Sequence, residues 1–187
     1  MSIPNIITLG RLLAVPVEVY LILVGEFDWA FWLFVAAGIS DAVDGFIARA
    51  FRARTHLGGY LDPIADKALL VSVYLALGQG GQLPVWLVIL VVFRDILIVG
   101  GVLLLYTLKE SLAMQPSWSS KINTTAQIAL AGLVLARFGP GFGDLVGVDE
   151  ALVVGIMIWV VAATTAVSGA GYIIQGSRLL SRQGGTR

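Results

Sequence analysis

Long apolar runs separated by short polar connections set the pattern of this chain. Six runs reach the length of about 20 mostly apolar residues that a helix needs to cross a bilayer. They fall at 6–25, 29–51, 57–77, 84–108, 118–138 and 151–175. The connections hold the residues that stop helices: EFD, the basic FRAR, GQGGQLP, KESLAMQPS and GPGFGDLVGVD. The pattern predicts an all-α polytopic membrane protein, a bundle of six transmembrane helices forming one domain over residues 1–187. No soluble domain, low-complexity stretch or internal repeat stands out.

Composition sharpens this picture. Hydrophobic residues make up 58% of the chain and charged residues only 13%, with a mean hydropathy of +0.90. A soluble domain carries about 25% charged residues, so the chain reads as an integral membrane protein. A formal net charge of zero, with no basic domain apart from the membrane spans, argues against nucleic-acid binding. The absence of cysteine excludes disulfides and thiolate metal sites. The opening MSIPN is uncharged, and no cleavage site follows the first apolar run. The expected location is therefore a bacterial inner membrane rather than a mitochondrial one.

Lysine and arginine near helix ends predict orientation. Six spans place the N-terminus, the 2–3 and 4–5 connections and the C-terminus on one side. That side holds Arg49, Arg52, Arg54, Lys109, Lys121, Arg178, Arg182 and Arg187, whereas the other has Arg137 among five acids. The basic side is expected to be cytoplasmic.

One stretch does not fit a lipid-facing helix. DAVDGFIARAFRARTHLGGYLDPIAD, residues 41–66, carries four aspartates and three arginines. Asp41 and Asp44 are three apart and share a helical face, with Gly45 and Ala48 on that face. Gly58, Asp62 and Asp66 repeat the arrangement at steps of four on the next helix. Two helices joined by RAFRARTH would thus bring four carboxylates together, with small residues that let another group approach the backbone. Four ionised carboxylates in a low-dielectric site repel one another, so they protonate or bind cations. An oxygen-only donor set suits a hard dication, Mg²⁺ or Mn²⁺. Two such ions about 4 Å apart are the usual arrangement for displacement at phosphorus. Metals, a basic rim and small residues suggest a nucleotide diphosphate in a pocket open to the cytoplasm. The alternative is four structural carboxylates paired with Arg49, Arg52, Arg54 and Lys67.

Asp41-x-x-Asp44-Gly45-x-x-Ala48-Arg49, eight residues, then Gly58-x-x-x-Asp62-x-x-x-Asp66 resembles the signature of the CDP-alcohol phosphatidyltransferases at every fixed position. The six-span length extends the resemblance to the whole chain. The resemblance implies transfer of a phosphatidyl group from CDP-diacylglycerol to an alcohol, with release of CMP. It implies that Asp41, Asp44 and Asp62 hold two Mg²⁺ (or Mn²⁺) ions, with Asp66 at the edge of the set. Asp66 is then the base that takes the acceptor proton. Asp41, Gly45, Ala48, Gly58 and Asp62 would line the cytidine diphosphate, with Arg49 facing the diphosphate. It also implies a homodimer.

The acceptor is read from weaker signals. IPNIITLGR and LDPIADK resemble the branch that contains phosphatidylglycerophosphate synthases and CMP-forming cardiolipin synthases. Asn5, Thr8 and Arg11 recur at steps of three, beside the expected site. The glycerophosphate-using enzymes typically carry Arg-Glu and a further arginine in span four, which suits a phosphate dianion. Here the span reads FRDILIVGGVLLLY, with Arg94, Asp95 and no later arginine. SKINTTAQIALAG and ATTAVSGAGYIIQG look more like cardiolipin synthases. The preferred acceptor is therefore phosphatidylglycerol, giving cardiolipin. Glycerol 3-phosphate, or another alcohol such as serine or inositol phosphate, is the alternative.

Arg94 either pairs with Asp95 or binds acceptor phosphate, and Lys121 either snorkels to headgroups or binds acceptor. His56 reads as a loop residue, and Glu18 has no assigned role. The five tryptophans read as an interfacial belt. The non-enzyme alternative is a divalent-cation transporter lined by the acids. A membrane prenyltransferase also uses aspartates and Mg²⁺, but on well-separated helices.

Overall fold

The computed structural model describes the backbone of residues 3–51, 58–107, 118–141, 143 and 147–184, and the side chains of residues 10, 12–40, 67–100, 118–141, 143 and 147–174. Six helices and no strand occur among the described residues. They are α1 (Ile3–Val24), α2 (Phe27–Phe51), α3 (Gly58–Gln79), α4 (Val85–Thr107), α5 (Trp118–Phe138) and α6 (Glu150–Gly184). These bounds lie close to those expected from the apolar runs, except that α6 continues to Gly184 rather than ending near 175. Its 35 residues give a rod about 50 Å long, longer than the roughly 30 Å hydrocarbon layer.

Local sequence sets several of the helix ends. Gly25 takes φ +84° after α1, a conformation that favours glycine, and its amide closes on the Ile22 carbonyl at 3.2 Å. Gly81 takes φ +79° between α3 and α4. Pro84 then stands just before α4, and its carbonyl receives the Leu87 and Val88 amides. The Asp149 carboxylate accepts the Ala151 amide at 2.9 Å, capping α6. Pro16 lies inside α1. It removes one backbone donor there, which a helix tolerates where side chains and neighbouring helices support it.

Side-chain contacts fix the relative directions of the helices. Phe27 meets Phe138 with ring centroids 5.5 Å apart, and Gly132 lies beside Phe34, so α2 and α5 run antiparallel. Gly78 faces Val88 while Lys67 meets Asp95, so α3 and α4 are antiparallel. Trp86 stacks near Trp159 and Arg94 reaches Ser168, so α4 and α6 run together. α1 packs on α2 and α3, α5 packs on α2, α3 and α6, and α4 packs on α3 and α6.

The interior divides into two ends. At the end of the α3–α4 turn it is apolar: Val73, Leu77, Leu83, Leu87, Val91, Leu130, Val134, Leu135, Val154 and Val161 form the continuous core. Towards the end where α2 leads into α3 the same faces become polar. The buried groups there are Arg94, Asp95, Asn123, Gln127, Thr165 and Ser168. The outward faces are apolar, with Leu13, Ile89, Ile96, Ile156 and Val167 all exposed. Among the described residues, Glu150–Ile174 is long and apolar enough to cross a membrane, and Leu12–Val24, Phe27–Ser40 and Lys67–Gln79 are shorter apolar stretches. The five tryptophans are exposed. Trp159 lies some turns inside α6, level with Trp86 in the first turn of α4.

Candidate active site

The aspartate signature divides between two helices. Asp41, Asp44, Gly45, Ala48 and Arg49 fall on the last turns of α2, and Gly58, Asp62 and Asp66 on the first turns of α3. The connection 52–57, with His56, lies outside the described residues, as do all side chains from 41 to 66. The helical backbone gives each pair of aspartates the spacing assumed for it, three on α2 and four on α3. No cluster of three potential metal ligands occurs among the described residues. Asn5, Thr8 and Arg11 lie in the first turns of α1, and their side chains are outside the described residues.

The described polar end begins one residue after Asp66. Lys67 Nζ lies 2.8 Å from Asp95 Oδ1, across the α3–α4 contact. The same oxygen accepts Arg94 Nη1 at 2.7 Å. Arg94 Nη2 donates to Ser120 Oγ on α5 and to Ser168 Oγ on α6, each at 2.7 Å. Its guanidinium also lies 6.0 Å from the centre of the Tyr172 ring, within cation–π range. Arg94 is 2% exposed and Asp95 3%. The Arg94–Asp95 pair considered from sequence therefore exists, and it forms the hub of a network across four helices.

A second set of polar contacts joins α5 to α6. Asn123 Oδ1 accepts the hydroxyls of Thr164 at 2.9 Å and Thr165 at 2.8 Å. Tyr74 of α3 donates its hydroxyl to the Gln127 carbonyl at 3.1 Å. Arg94 Nε, Asp95 Oδ2, Asn123 Nδ2 and both amide atoms of Gln127 are buried with no hydrogen-bond partner among the described residues. Lys121, by contrast, is exposed in the first turn of α5, its ammonium 5.1 Å from the Trp118 ring centre.

Sequence reading missed Ser120, Asn123 and Gln127 as one face, and Thr165, Ser168 and Tyr172 as another. Both sets have the spacing i, i+3, i+7, so each lines one side of its helix. In apolar helices, that recurrence of polar groups was the available signal. Among the described residues, the partner of Lys67 is Asp95.

Residues 1–167 match the sequence model of the CDP-alcohol phosphatidyltransferase family. The chain belongs to that family. It is 33% identical over 202 residues to the chloroplastic CDP-diacylglycerol–glycerol-3-phosphate 3-phosphatidyltransferase 1 of Oryza sativa subsp. japonica, covering 98% of this chain and 59% of the rice protein. It is 36% identical over 151 residues to a probable CMP-forming cardiolipin synthase of Drosophila melanogaster, covering 72% of this chain and 47% of the fly protein. It is 38% identical over 161 residues to the CDP-diacylglycerol–glycerol-3-phosphate 3-phosphatidyltransferase of Cereibacter sphaeroides, covering 79% of this chain and 68% of that protein. This chain thus spans roughly half to two thirds of these relatives, and their names divide between two acceptors.

Proposed function

We propose that this protein transfers a phosphatidyl group from CDP-diacylglycerol to the primary hydroxyl of phosphatidylglycerol, forming cardiolipin and CMP. The observation that carries the acceptor choice is the sequence of α4, where Arg94 is followed by no second arginine. The terminal phosphate dianion of glycerol 3-phosphate calls for more positive charge than the monoanionic phosphodiester of phosphatidylglycerol. The apolar outward faces and the length of Glu150–Ile174 support a multi-pass protein of six spans whose acceptor arrives through the membrane. We place the protein in the bacterial inner membrane as a homodimer, with the site on the cytoplasmic side.

In this reading Asp41, Asp44 and Asp62, with Asp66 at their edge, hold two dications. The donor set fits: four carboxylates on two helices that lead into one short connection, with oxygen donors only. Bound Mg²⁺ or Mn²⁺ would neutralise these carboxylates and stabilise charge on the diphosphate oxygens. Gly45, Ala48 and Gly58 leave room for cytidine, and Arg49 meets the diphosphate. Asp66 takes the proton of the acceptor hydroxyl. The freed oxygen forms a bond to the phosphorus bearing the diacylglycerol, the bond from that phosphorus to the bridging oxygen breaks, and CMP leaves with its electrons. Asn5, Thr8, Arg11 and Lys121 bind the acceptor headgroup, while Arg94 contributes its field from inside the bundle.

The test is turnover by purified protein in detergent with CDP-diacylglycerol and Mg²⁺, offering phosphatidylglycerol and glycerol 3-phosphate in parallel. Cardiolipin and CMP from the first acceptor are expected. Phosphatidylglycerophosphate from the second alone overturns the acceptor choice. CMP release with no acceptor, including serine and inositol phosphate, overturns the transferase reading. Metal-dependent ion uptake into liposomes would instead support a transporter.

A further inference from the structure

Lys67 directly follows Asp66, and its side chain is 27% exposed. A lysine at such a rim can extend its ammonium to water or to lipid headgroups. Here it turns inward to Asp95 Oδ1 at 2.8 Å. The other end of the network is anchored away from α3, since Arg94 is held by Ser120 and Ser168. Both cations converge on Oδ1, while Oδ2 has no partner among the described residues. A buried ion pair is often matched in stability by apolar residues of the same volume. What three charges add here is a directional tie between α3 and the assembly of α4, α5 and α6.

We propose that Asp95 is a positioning residue: held by Arg94, it captures Lys67 and fixes the rotation of the α3 turn that carries Asp66. Successive helix residues are about 100° apart around the axis. Pinning Lys67 against α4 therefore sets the azimuth of the residue before it. The inference rests on the reading of Asp66 as the base. Arg94 and Asp95 are enclosed, and in this proposal they act through Lys67 and the helix rather than on the substrate.

The experiment combines steady-state kinetics with hydrogen exchange in detergent on Asp95→Asn, Asp95→Glu, Lys67→Met and the Lys67→Met/Asp95→Asn double variant. Small misplacement of a reacting group lowers the rate by up to about 100-fold. Asp95→Asn and Lys67→Met are each expected to lower kcat about 10- to 100-fold. KM for both substrates should stay within about 3-fold, because ground-state binding is untouched. The double variant should be no slower than the slower single one, since both remove the same tie. Asp95→Glu should recover most of the lost turnover. Amides of the first turns of α3 should exchange faster in both single variants, while those of the apolar end stay protected.

Raised KM for the acceptor with unchanged kcat would overturn the proposal in favour of direct acceptor contact, as would additive losses in the double variant. Unchanged exchange in α3 would overturn it as well. If Asp95→Asn does not fold, Lys67→Met leaves the Arg94–Asp95 pair intact and carries the test alone. If the wild-type protein releases no CMP with any acceptor, the transferase reading fails, and α3 exchange still decides whether Asp95 positions that helix.

Discussion

Glu18 offers a direct measurement of the cost of an unmet carboxylate inside this bundle. It lies in α1, fully enclosed, and neither Oε1 nor Oε2 has a hydrogen-bond partner among the described residues. Each buried polar group left unsatisfied costs about 1–3 kcal/mol. Replacing Glu18 by Met removes both oxygens while keeping a flexible side chain of similar length and volume. Taking the low end for each oxygen gives a gain of about 2 kcal/mol. Imperfect repacking offsets up to about 1.5 kcal/mol of that. The expected net stabilisation is about 0.5–2 kcal/mol, or roughly 1–8 °C in Tm at about 2–4 °C per kcal/mol for a chain of this size. Glu18→Gln keeps two unmet polar atoms in the same shape and should move Tm little. The assay is thermal unfolding of purified protein in one detergent, followed by intrinsic tryptophan fluorescence. A lower Tm for Glu18→Met with an unchanged Tm for Glu18→Gln would refute the reasoning. It would mean that the oxygens hold a hydrogen-bonded partner whose loss outweighs the desolvation saved.

Three further outcomes are expected. Gly78→Ala would place a Cβ 2.7 Å from Val88 Cγ2; this overpacking should cost about 1–3 kcal/mol, measured as a lower Tm, and Val88→Ala in the same chain should restore most of it. Asn123→Ala removes the acceptor of both the Thr164 and Thr165 hydroxyls and leaves Thr165 buried without that partner. It should destabilise by about 1–3 kcal/mol, and Asn123→Asp, which keeps the acceptor oxygen, should be milder by the same melting assay. Asp66→Asn should abolish CMP release while preserving fold and CDP-diacylglycerol binding, and chelation of divalent ions should stop wild-type turnover until Mg²⁺ is restored. Near-normal turnover of Asp66→Asn would remove it as the base.

How much was legible beforehand differs between helices and site. The helix positions followed from length and hydropathy, because a run of apolar residues ended by glycine or proline leaves the backbone few alternatives. Gly25, Gly81 and Pro84 sit at the breaks that their backbone preferences demand. The C-terminal extent of α6 was underestimated because its later turns are polar, and a hydropathy criterion stops where the apolar run stops. The spacing of Asp41, Asp44, Asp62 and Asp66 carried the family resemblance, since two short intervals on consecutive helices are a local property of the chain.

Sequence by itself therefore determined the helices, their breaks and the family to which the aspartate signature belongs. Only the tertiary structure decided the partners of the charges between helices. Lys67 could have extended to headgroups, and Arg94 could have faced an open pocket. Instead Asp95 takes both, and Ser120 and Ser168 fix the guanidinium from two other helices. Residues 67, 95, 120 and 168 are far apart in the chain, so no local pattern encodes their meeting. Helix packing brings them together, and burial selects which polar groups must satisfy one another.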